Sequence, residues 1–523
     1  MIRIRDIQMP PEHNEHQLLF EAARALKISG SKIRKLRLVR RSIDARKKPD
    51  VKLIYTVDIS VEGNEEKIIR QSGCKRATIA PKTYYRLPKA VSEKRPVVVG
   101  FGPAGMFAAL VLAMAGLRPI VLERGEDAQR RHEKVERFFA TGQLDPKSNV
   151  QFGEGGAGTF SDGKLNTGVN DARIGWILEQ FVAAGAREDI LFDAKPHVGT
   201  DVLLTVVQNI RKKIISLGGE VRFNTQVTGL RRENGALTGL VIDGGDVVDC
   251  DRAILAIGHS ARDTFQMLLD SGIPMEPKPF SMGVRIEHPQ SVIDMAQYGC
   301  ENPALPPADY KLVRHLDQKT VYTFCMCPGG HVVAAASEEG RVVTNGMSYA
   351  DRDGENANAA LLVTLNPVDF PYEGVLGGVQ WQREIEETAF RIGGGGYRAP
   401  AQLVGDFLEG KPSSGAGSVQ PTYRPGVTWC DLHEVLPAQI TGPLAQAIQE
   451  LDRNLKGFAR ADAVLTAPET RSSSPVRIIR DESRQCALRG LYPAGEGAGY
   501  AGGIMSAAID GMRSAECLIE SLE

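Results

Sequence analysis

Three consecutive valines, Val97 to Val99, end a polar stretch of the chain, and a helix-length apolar segment follows almost at once. A short, wholly apolar run suits a strand covered on both faces. The pattern then predicts a sharp turn at Gly100, a helix over roughly Ala104 to Ala115 closed by Gly116, and a second strand from Pro119 to Leu122. Two further segments repeat the strand-then-turn pattern. GGEVRFNTQVTGL (218–230) leads through a β-rich excursion into DRAILAIGHSARDT (251–264). Near the C-terminus, Leu491 to Ala494 read as a strand, Gly495-Glu496-Gly497 as a turn, and Gly502-Gly503 as the start of a helix carrying Ile504, Ala507, Ala508 and Met512. Before all of these, strand Ile2 to Gln8, helix Glu15 to Leu26 and strands around Ile33 to Ser42 and Lys52 to Val61 predict a small split α/β unit.

The glycines between the first strand and helix specify a dinucleotide cradle. Gly100 permits the turn, Gly102 lets backbone approach a pyrophosphate, and Gly105 lets the helix pack close to the strand. Pro103 suits the first turn, where a missing N–H costs nothing. The N-terminal amides from Ala104 onward and the helix dipole then face phosphate charge. Glu123, with Arg124 beside it, ends the second strand about twenty residues after the glycines, where a carboxylate accepts hydrogen bonds from ribose hydroxyls.

The segment LYPAGEGAGYAGGIMSAAIDG (491–511) resembles the C-terminal flavin motif of the glutathione reductase-type flavoprotein superfamily. The resemblance implies FAD. It places Glu496 on the ribitol chain, although the superfamily usually has Asp there, and sets the helix start at Gly502, Gly503 and Ile504 against the flavin's pyrimidine edge, with Gly495 in the turn. It also implies that backbone near Val227 contacts adenine and that the chain returns to the cofactor at Ala256-Ile257-Gly258. The whole chain resembles a family of bacterial FAD-dependent proteins known as NAD(FAD)-utilising dehydrogenases. That resemblance is carried by EGGAGTFSDGKLNT (154–167), KPFSMGVRIEHPQ (278–290), YTFCMCPGGHVVAAASEEGRVVTNGMS (322–348) and ETRSSSPVRIIRD (469–481). It implies a fold and a cofactor but no substrate. In related flavoproteins a glycine-rich loop passes the isoalloxazine ring, which makes Gly155, Gly156, Gly158, Thr159, Ser161 and Asp162 candidate contacts. Lys164 is a candidate catalytic group beside flavin N5 or O4, or else a surface loop residue.

The expected fold class is α/β: a Rossmann-like FAD-binding domain, an inserted mixed α/β substrate domain, and a small basic N-terminal α/β domain. The expected boundaries are 1–92, 93–270, 271–478 and 479–523, with 82–95 as the linker into the flavin domain. Length allows two to four domains, and 42% hydrophobic residues allow sizeable cores. MIRIRDIQMP has no signal-peptide core and no run of eighteen apolar residues exists, so the expectation is a soluble, cytoplasmic protein without membrane contact. Eight scattered cysteines fit a reducing compartment.

The net charge of −1 hides an asymmetry. Residues 1–95 carry 23 Lys and Arg against 11 Asp and Glu, and the remainder carries 40 against 53. The basic run KIRKLRLVRRSIDARKK (32–48) is threaded by Ile33, Leu36, Leu38 and Ile43, which favours a strand with a solvated face. RNA, or an acidic protein surface such as the second half of this chain, are the alternatives. No aromatic stacking platform interleaves the charges, so nucleic acid is disfavoured.

On the substrate side, Arg285 and His288 are candidate catalytic residues, with Glu287 between them. Arg471, Arg477 and Arg480 flank a Ser-rich turn that suits an anionic substrate, or else form structural ion pairs. Cys325 and Cys327 lack the spacing and chain position of the redox pair in flavin disulfide reductases and are expected as buried apolar residues. His259 is expected as a turn residue, and no Cys/His set has metal-ligand spacing. IGGGGYRAP (392–400) lacks the flanking strands of a second dinucleotide site and reads as an interface loop. The electron donor is then the substrate, a protein, or NAD(P)H bound transiently. The expected function is hydride transfer at flavin N5 with a small-molecule substrate. A flavin-using tRNA-modifying protein and an FAD-stabilised scaffold without turnover are the alternatives.

Overall fold

The computed structural model describes residues 1–81 and 85–522, so Lys82 to Tyr84 of the expected linker lie outside the described residues. Val97–Val99 is the centre of a five-stranded sheet. Its order is Leu491–Pro493, Ala253–Leu255, Val97–Val99, Ile120–Leu122, Glu220–Arg222, and every neighbouring pair is parallel. The three valines are buried because both faces of this sheet are covered. On one face lie the helices Pro103–Met114, Thr200–Ser216 and Ile504–Glu520, whose apolar side chains share a core with Val98, Val121, Ile254 and Tyr492. On the other, a three-stranded antiparallel meander, Val227–Glu233, Ala236–Ile242 and Asp246–Asp249, supplies Leu237, Leu240 and Val248 against Val97, Val99 and Leu255.

Close backbone approach is concentrated where the first helix leaves the sheet. A Cβ on Gly105 would overlap the carbonyl oxygen of Gly100, and one on Gly511 would overlap that of Ala104. The first and last helices of this layer therefore cross with almost no side chain between them.

Residues 280–469 build a second, seven-stranded sheet. Its order is Val313–His315, Thr320–Cys327, Asn356–Leu365, Phe280–Pro289, Val464–Glu469, Ala399–Leu403, Val427–Trp429, antiparallel apart from the last pair. A two-stranded ribbon, Met275–Pro277 with Val476–Ile478, joins the two ends of this insertion where it leaves the parallel sheet. The glycine run expected as an interface loop follows helix Gly377–Ile392, and its Gly396 carbonyl lies 2.8 Å from where a Cβ on Gly142 would stand.

The N-terminal unit is a four-stranded antiparallel sheet, Ile33–Asp44, Lys52–Val61, Ile2–Met9, Ala77–Ile79, with helix Glu15–Leu26 burying Leu18, Ala22 and Leu26 in the core cluster that this sheet's residues also join. The basic run forms its outer strand, and none of its residues is fully buried. Several of its arginines are taken up by carboxylates of this chain: Arg37 meets Asp58 at 2.8 Å and Arg41 meets Asp193 at 2.6 Å. Backbone bonds reinforce the second contact, with Arg41 N–H donating to Phe192 O (2.7 Å) and Ala194 N–H donating to Arg41 O (2.8 Å). Among the described residues no helix is long and apolar enough to cross a membrane.

Candidate functional site

Where the parallel sheet meets the seven-stranded sheet, a cavity of about 1060 Å³ is bounded by both. Its volume sits at the top of the roughly 300–1,000 Å³ usual for ligand sites. Gly100, Gly102, Pro103, Ala104, Glu123, Arg124, Gly156, Gly158, Ser161, Lys164, Val227, Gly258, Glu496, Gly502, Gly503 and Ile504 all line it. Residues more than 400 positions apart in the chain therefore share one wall.

Two helix N-termini open onto this space. Gly102 precedes helix Pro103–Met114 and Gly503 precedes helix Ile504–Glu520, and neither end is capped by a side chain. Uncapped first-turn N–H groups at a cavity wall are ready donors to an anion. Beneath the first helix end, Gly156 has φ +62°, and a Cβ there would stand 2.8 Å from the Cα of Gly102. The Gly158 position is bounded by Ile504 Cγ1 at 3.0 Å. Glycines with little room for a side chain and an uncapped helix end thus meet at this wall, while the Gly100 and Gly156 N–H groups themselves donate to Leu122 O (2.8 Å) and Gly153 O (2.9 Å).

Glu123 has a structural task that the sequence did not reveal. It is 5% exposed, and its carboxylate accepts from Phe101 N–H (2.8 Å), Gly125 N–H (2.9 Å) and Gly153 N–H (3.0 Å). Oε1 takes two of these donors, so Oε2 is the oxygen with the freer lone pair. Arg124 pairs with Asp263 at 3.0 Å and lies 4.3 Å above the Phe152 ring.

Several expected contacts do not face the cavity. Gly105 is consumed by helix–strand packing, and Gly495 donates its N–H to Asp510 Oδ2 (2.8 Å). Thr159 Oγ1 donates to Glu154 O, and Asp162 is held in a two-bond pair with Arg352, at 2.9 and 2.6 Å. Gly105 packs helix against strand as its spacing predicts, so only a direct contact from it is corrected; Gly495 is a spacer, and the polar groups of Thr159 and Asp162 are spent inside the protein, which corrects their reading as contacts. Ser161 does line the cavity, but its hydroxyl donates to Gly158 O and accepts from Gly163 N–H, closing the loop on itself.

The catalytic candidates divide. Lys164 lines the cavity, and its ammonium donates to the Met326 carbonyl on the opposite sheet. Arg285 is fully buried behind the wall; it pairs with Glu469 at 2.5 Å and donates to Cys325 O (2.8 Å) and Asn345 Oδ1 (2.9 Å). The Glu469 carboxylate raises the Arg285 guanidinium, while burial pushes the Glu469 carboxyl up against the pull of Arg285. His288 is also fully buried, away from the cavity, with Nε2 bonded to Phe458 O (2.8 Å) and burial pushing the ring down to about 4. Neither Arg285 nor His288 can touch a ligand in the cavity, because strand Phe280–Pro289 lies between two other strands and is covered on both faces. His259 does line the cavity, and burial with Arg471 and Arg262 nearby pushes it down to about 3, so it stays neutral.

The arginine cluster is internally neutralised. Arg262 and Arg471 grip the same carboxylate, Glu386, at 2.7 and 2.9 Å, and all three are at most 3% exposed at their side chains. Glu338 adds a second acid 2.6 Å from Arg262. Arg480 faces Asp510 (2.8 Å) and Arg477 faces Glu276 (3.2 Å), so the ion-pair reading accounts for all three arginines around the Ser-rich turn.

Two contributors had no signal in the sequence, and a third sits differently from its expectation. Lys278 lines the cavity, is pushed down by burial, and opposes the burial that raises Glu496 to about 7. Arg131 is wholly buried and donates to the carbonyls of Asn149 (2.8 Å), Val150 (2.9 Å) and Glu154 (2.6 Å), fixing the loop that enters the cavity. Cys325, expected as buried, is only partly buried and lines the cavity; Cys327 is fully buried, as expected.

Residues 279–472 match the family described as "FAD-dependent protein, C-terminal domain-like", and residues 1–60 match a domain of unknown function, DUF8436. A protein of Clostridium beijerinckii with the name "Uncharacterized protein" is 47% identical over 530 residues, covering 100% of this chain and 99% of that one. The chain belongs to the same family as that protein. Its cofactor is FAD. Among solved structures, glycine oxidase from Bacillus cereus is 12% identical over 82% of this chain and 96% of its own, with a TM-score of 0.33. L-proline dehydrogenase from P. horikoshii is 13% identical over 83% and 95%, with a TM-score of 0.34. Likenesses this low carry no argument about the reaction. The cavity fits the cofactor: it is large, its glycines let backbone approach closely, and two uncapped helix ends present donors to it.

Proposed function

We propose that this protein is an FAD-dependent oxidoreductase acting on a small substrate in the cavity between the two sheets. The observation that carries the reading is the pair of uncapped helix N-termini, at Gly102 and Gly503, opening onto one glycine-floored cavity in a chain of an FAD-dependent family. Bound FAD supplies two-electron chemistry, with a hydride passing at N5.

The residues that would hold it are those of the cavity wall. Gly100, Gly102, Pro103 and Ala104 with Gly156 and Gly158 would take the pyrophosphate, Glu123 the adenosine ribose, backbone near Val227 the adenine, and Glu496 the ribitol. The helix start at Gly503 and Ile504 would face the pyrimidine edge, where its dipole favours negative charge. Lys164, fixed between the glycine loop and Met326, would add a positive charge on the same side. Burial raises the Glu496 carboxyl against the pull of the Lys278 ammonium, so the carboxyl can hold a proton at neutral pH and donate to a hydroxyl.

We read residues 93–270 with 479–523 as the FAD-binding part, 271–478 as the inserted substrate part and 1–92 as a separate basic unit. All eight cysteines are free, which supports a reducing compartment such as the cytoplasm. The donor is the substrate itself, a protein, or transiently bound NAD(P)H.

Anaerobic stopped-flow mixing of the purified protein with NADH and NADPH separately tests the reading, with photoreduction as the control. Rapid bleaching of the flavin band by either makes the protein a nicotinamide-driven reductase. Normal photoreduction without bleaching points to the substrate as donor. A flavin that resists photoreduction as well overturns the oxidoreductase reading.

A further inference from the structure

Strand Thr320–Cys327 pairs regularly with Asn356–Leu365 as far as Phe324, and then the register shifts before Cys327. At the shift, Cys325 adopts φ +41°, in the left-handed region that non-glycine residues rarely occupy. Such a conformation persists only where the surroundings impose it. Three groups do so here. The Lys164 ammonium donates to Met326 O, Arg285 Nη1 donates to Cys325 O at 2.8 Å, and the Cys327 thiol donates to the same Cys325 oxygen at 3.2 Å. The bulge sets Cys325 on the cavity wall and leaves Cys327 wholly buried behind it.

The two thiols consequently have opposite surroundings. The neighbouring Cys327 thiol first, then Arg285 and Lys164, hold the Cys325 thiol down at about 6 against burial and the Asp162 carboxylate. Glu469 and Glu496 also face it, the former paired with Arg285. Cys327 is pushed well up by its neighbour and by burial. An accessible thiolate beside cations, with a second, buried thiol two residues on, is the arrangement of a nucleophilic and a resolving cysteine.

We propose that Cys325 and Cys327 form a redox-active dithiol on the wall of the FAD cavity, and that the substrate class of this site is a low-molecular-weight disulfide. The Cys325 thiolate attacks one sulfur of RS–SR, forming a Cys325–SR mixed disulfide and releasing RS⁻, which takes up a proton. Cys327, giving up its proton, then attacks the Cys325 sulfur, forming the Cys325–Cys327 disulfide and expelling the second RS⁻. The net change is protein dithiol plus RSSR to protein disulfide plus two RSH. Return to the dithiol takes two electrons and two protons, available from reduced FAD in the same cavity. The inference rests on the oxidoreductase reading above.

Tryptic cleavage after Lys319 and Arg341 puts both cysteines in one peptide, which makes the test direct. In the holoprotein, timed alkylation with iodoacetamide near neutral pH, read by peptide mass spectrometry, should label Cys325 about tenfold faster than the partly buried Cys74, Cys300, Cys430 and Cys517. Treatment with excess hydroxyethyl disulfide should leave this peptide unalkylated and lighter by two hydrogens. In C327S the same treatment should trap Cys325 as the hydroxyethyl mixed disulfide. Alkylation of Cys325 no faster than that of the other four, or both thiols still free after disulfide treatment, overturns the proposal. The flavin band recorded on the same samples separates the two claims. Loaded, reducible FAD with inert thiols overturns the dithiol alone, whereas a reactive pair beside an irreducible flavin overturns the oxidoreductase reading and, with it, the return to the dithiol through FAD, leaving only the thiol exchange.

Discussion

Gly102 and Gly156 face each other so closely that a Cβ on Gly156 would stand 2.8 Å from the Cα of Gly102. One belongs to the turn after the central strand and the other to the loop that crosses over it. On the reading proposed here, the gap they leave is where the pyrophosphate reaches the first helix. Gly102→Val should therefore abolish FAD retention while leaving the circular dichroism spectrum of the fold intact. A yellow, fully loaded variant would remove the pyrophosphate from this position.

Glu496 gives the protein a pH dependence whose sign is fixed. Its carboxyl is raised to about 7 by burial, so the folded chain holds a proton that the unfolded chain releases near the ordinary carboxyl value of 4.5. That stabilisation is complete below about pH 4.5 and is lost as pH rises through 7. In flavin-free protein Glu496→Gln should melt with wild type in acid and be more stable at pH 8, by about 1–3 kcal/mol. Thermal melts of both proteins across this range check it, and parallel curves would show that Glu496 is ionised in the fold.

The Glu386 carboxylate balances two buried arginines, Arg262 and Arg471, which together hold it well below the usual carboxylate range against burial. Removing it leaves both guanidiniums desolvated beside each other, with Glu338 as the one acid still in contact and Gln382 and Ser337 as neutral acceptors. Glu386→Ala should cost about 3–5 kcal/mol in urea unfolding. A loss under about 1 kcal/mol would mean that water or Glu338 already satisfies the pair.

His288 touches the main-chain oxygen of Phe458 and no cavity atom. His288→Leu should leave the rate of flavin photoreduction within about twofold of wild type, while costing about 1–3 kcal/mol for the carbonyl left without a donor. A hundredfold loss of rate at normal FAD loading would return His288 to the chemistry.

What was legible in the sequence is what depends on near neighbours. The spacing of Gly100, Gly102 and Gly105 after a buried strand, and of Gly502 and Gly503 before a helix, fixes local backbone geometry, and all but Gly105 of these reach the cavity. Partners across the fold were not legible. Asp162 looked free because Arg352, which holds it, is 190 residues away. Arg285 and His288 looked like strand residues with a polar face, but that strand is interior to its sheet and covered on both sides, so charge there marks pairing within the core. Cys325 reaches the cavity through a register shift that no residue pattern announces.

The sheet beneath the cavity takes its edge strand, Leu491–Pro493, and the helix Ile504–Glu520 that carries the second donor terminus, from residues synthesised long after its centre. Its central strand and first helix emerge almost 400 residues earlier, and at roughly 5–20 residues per second they wait for many seconds with one layer missing. A chain cut short before Leu491 would have half a cradle and no means of closing it. On this reading flavin capture waits for the segment from Leu491 to Glu520, so truncation before Leu491 would show itself as loss of the cofactor.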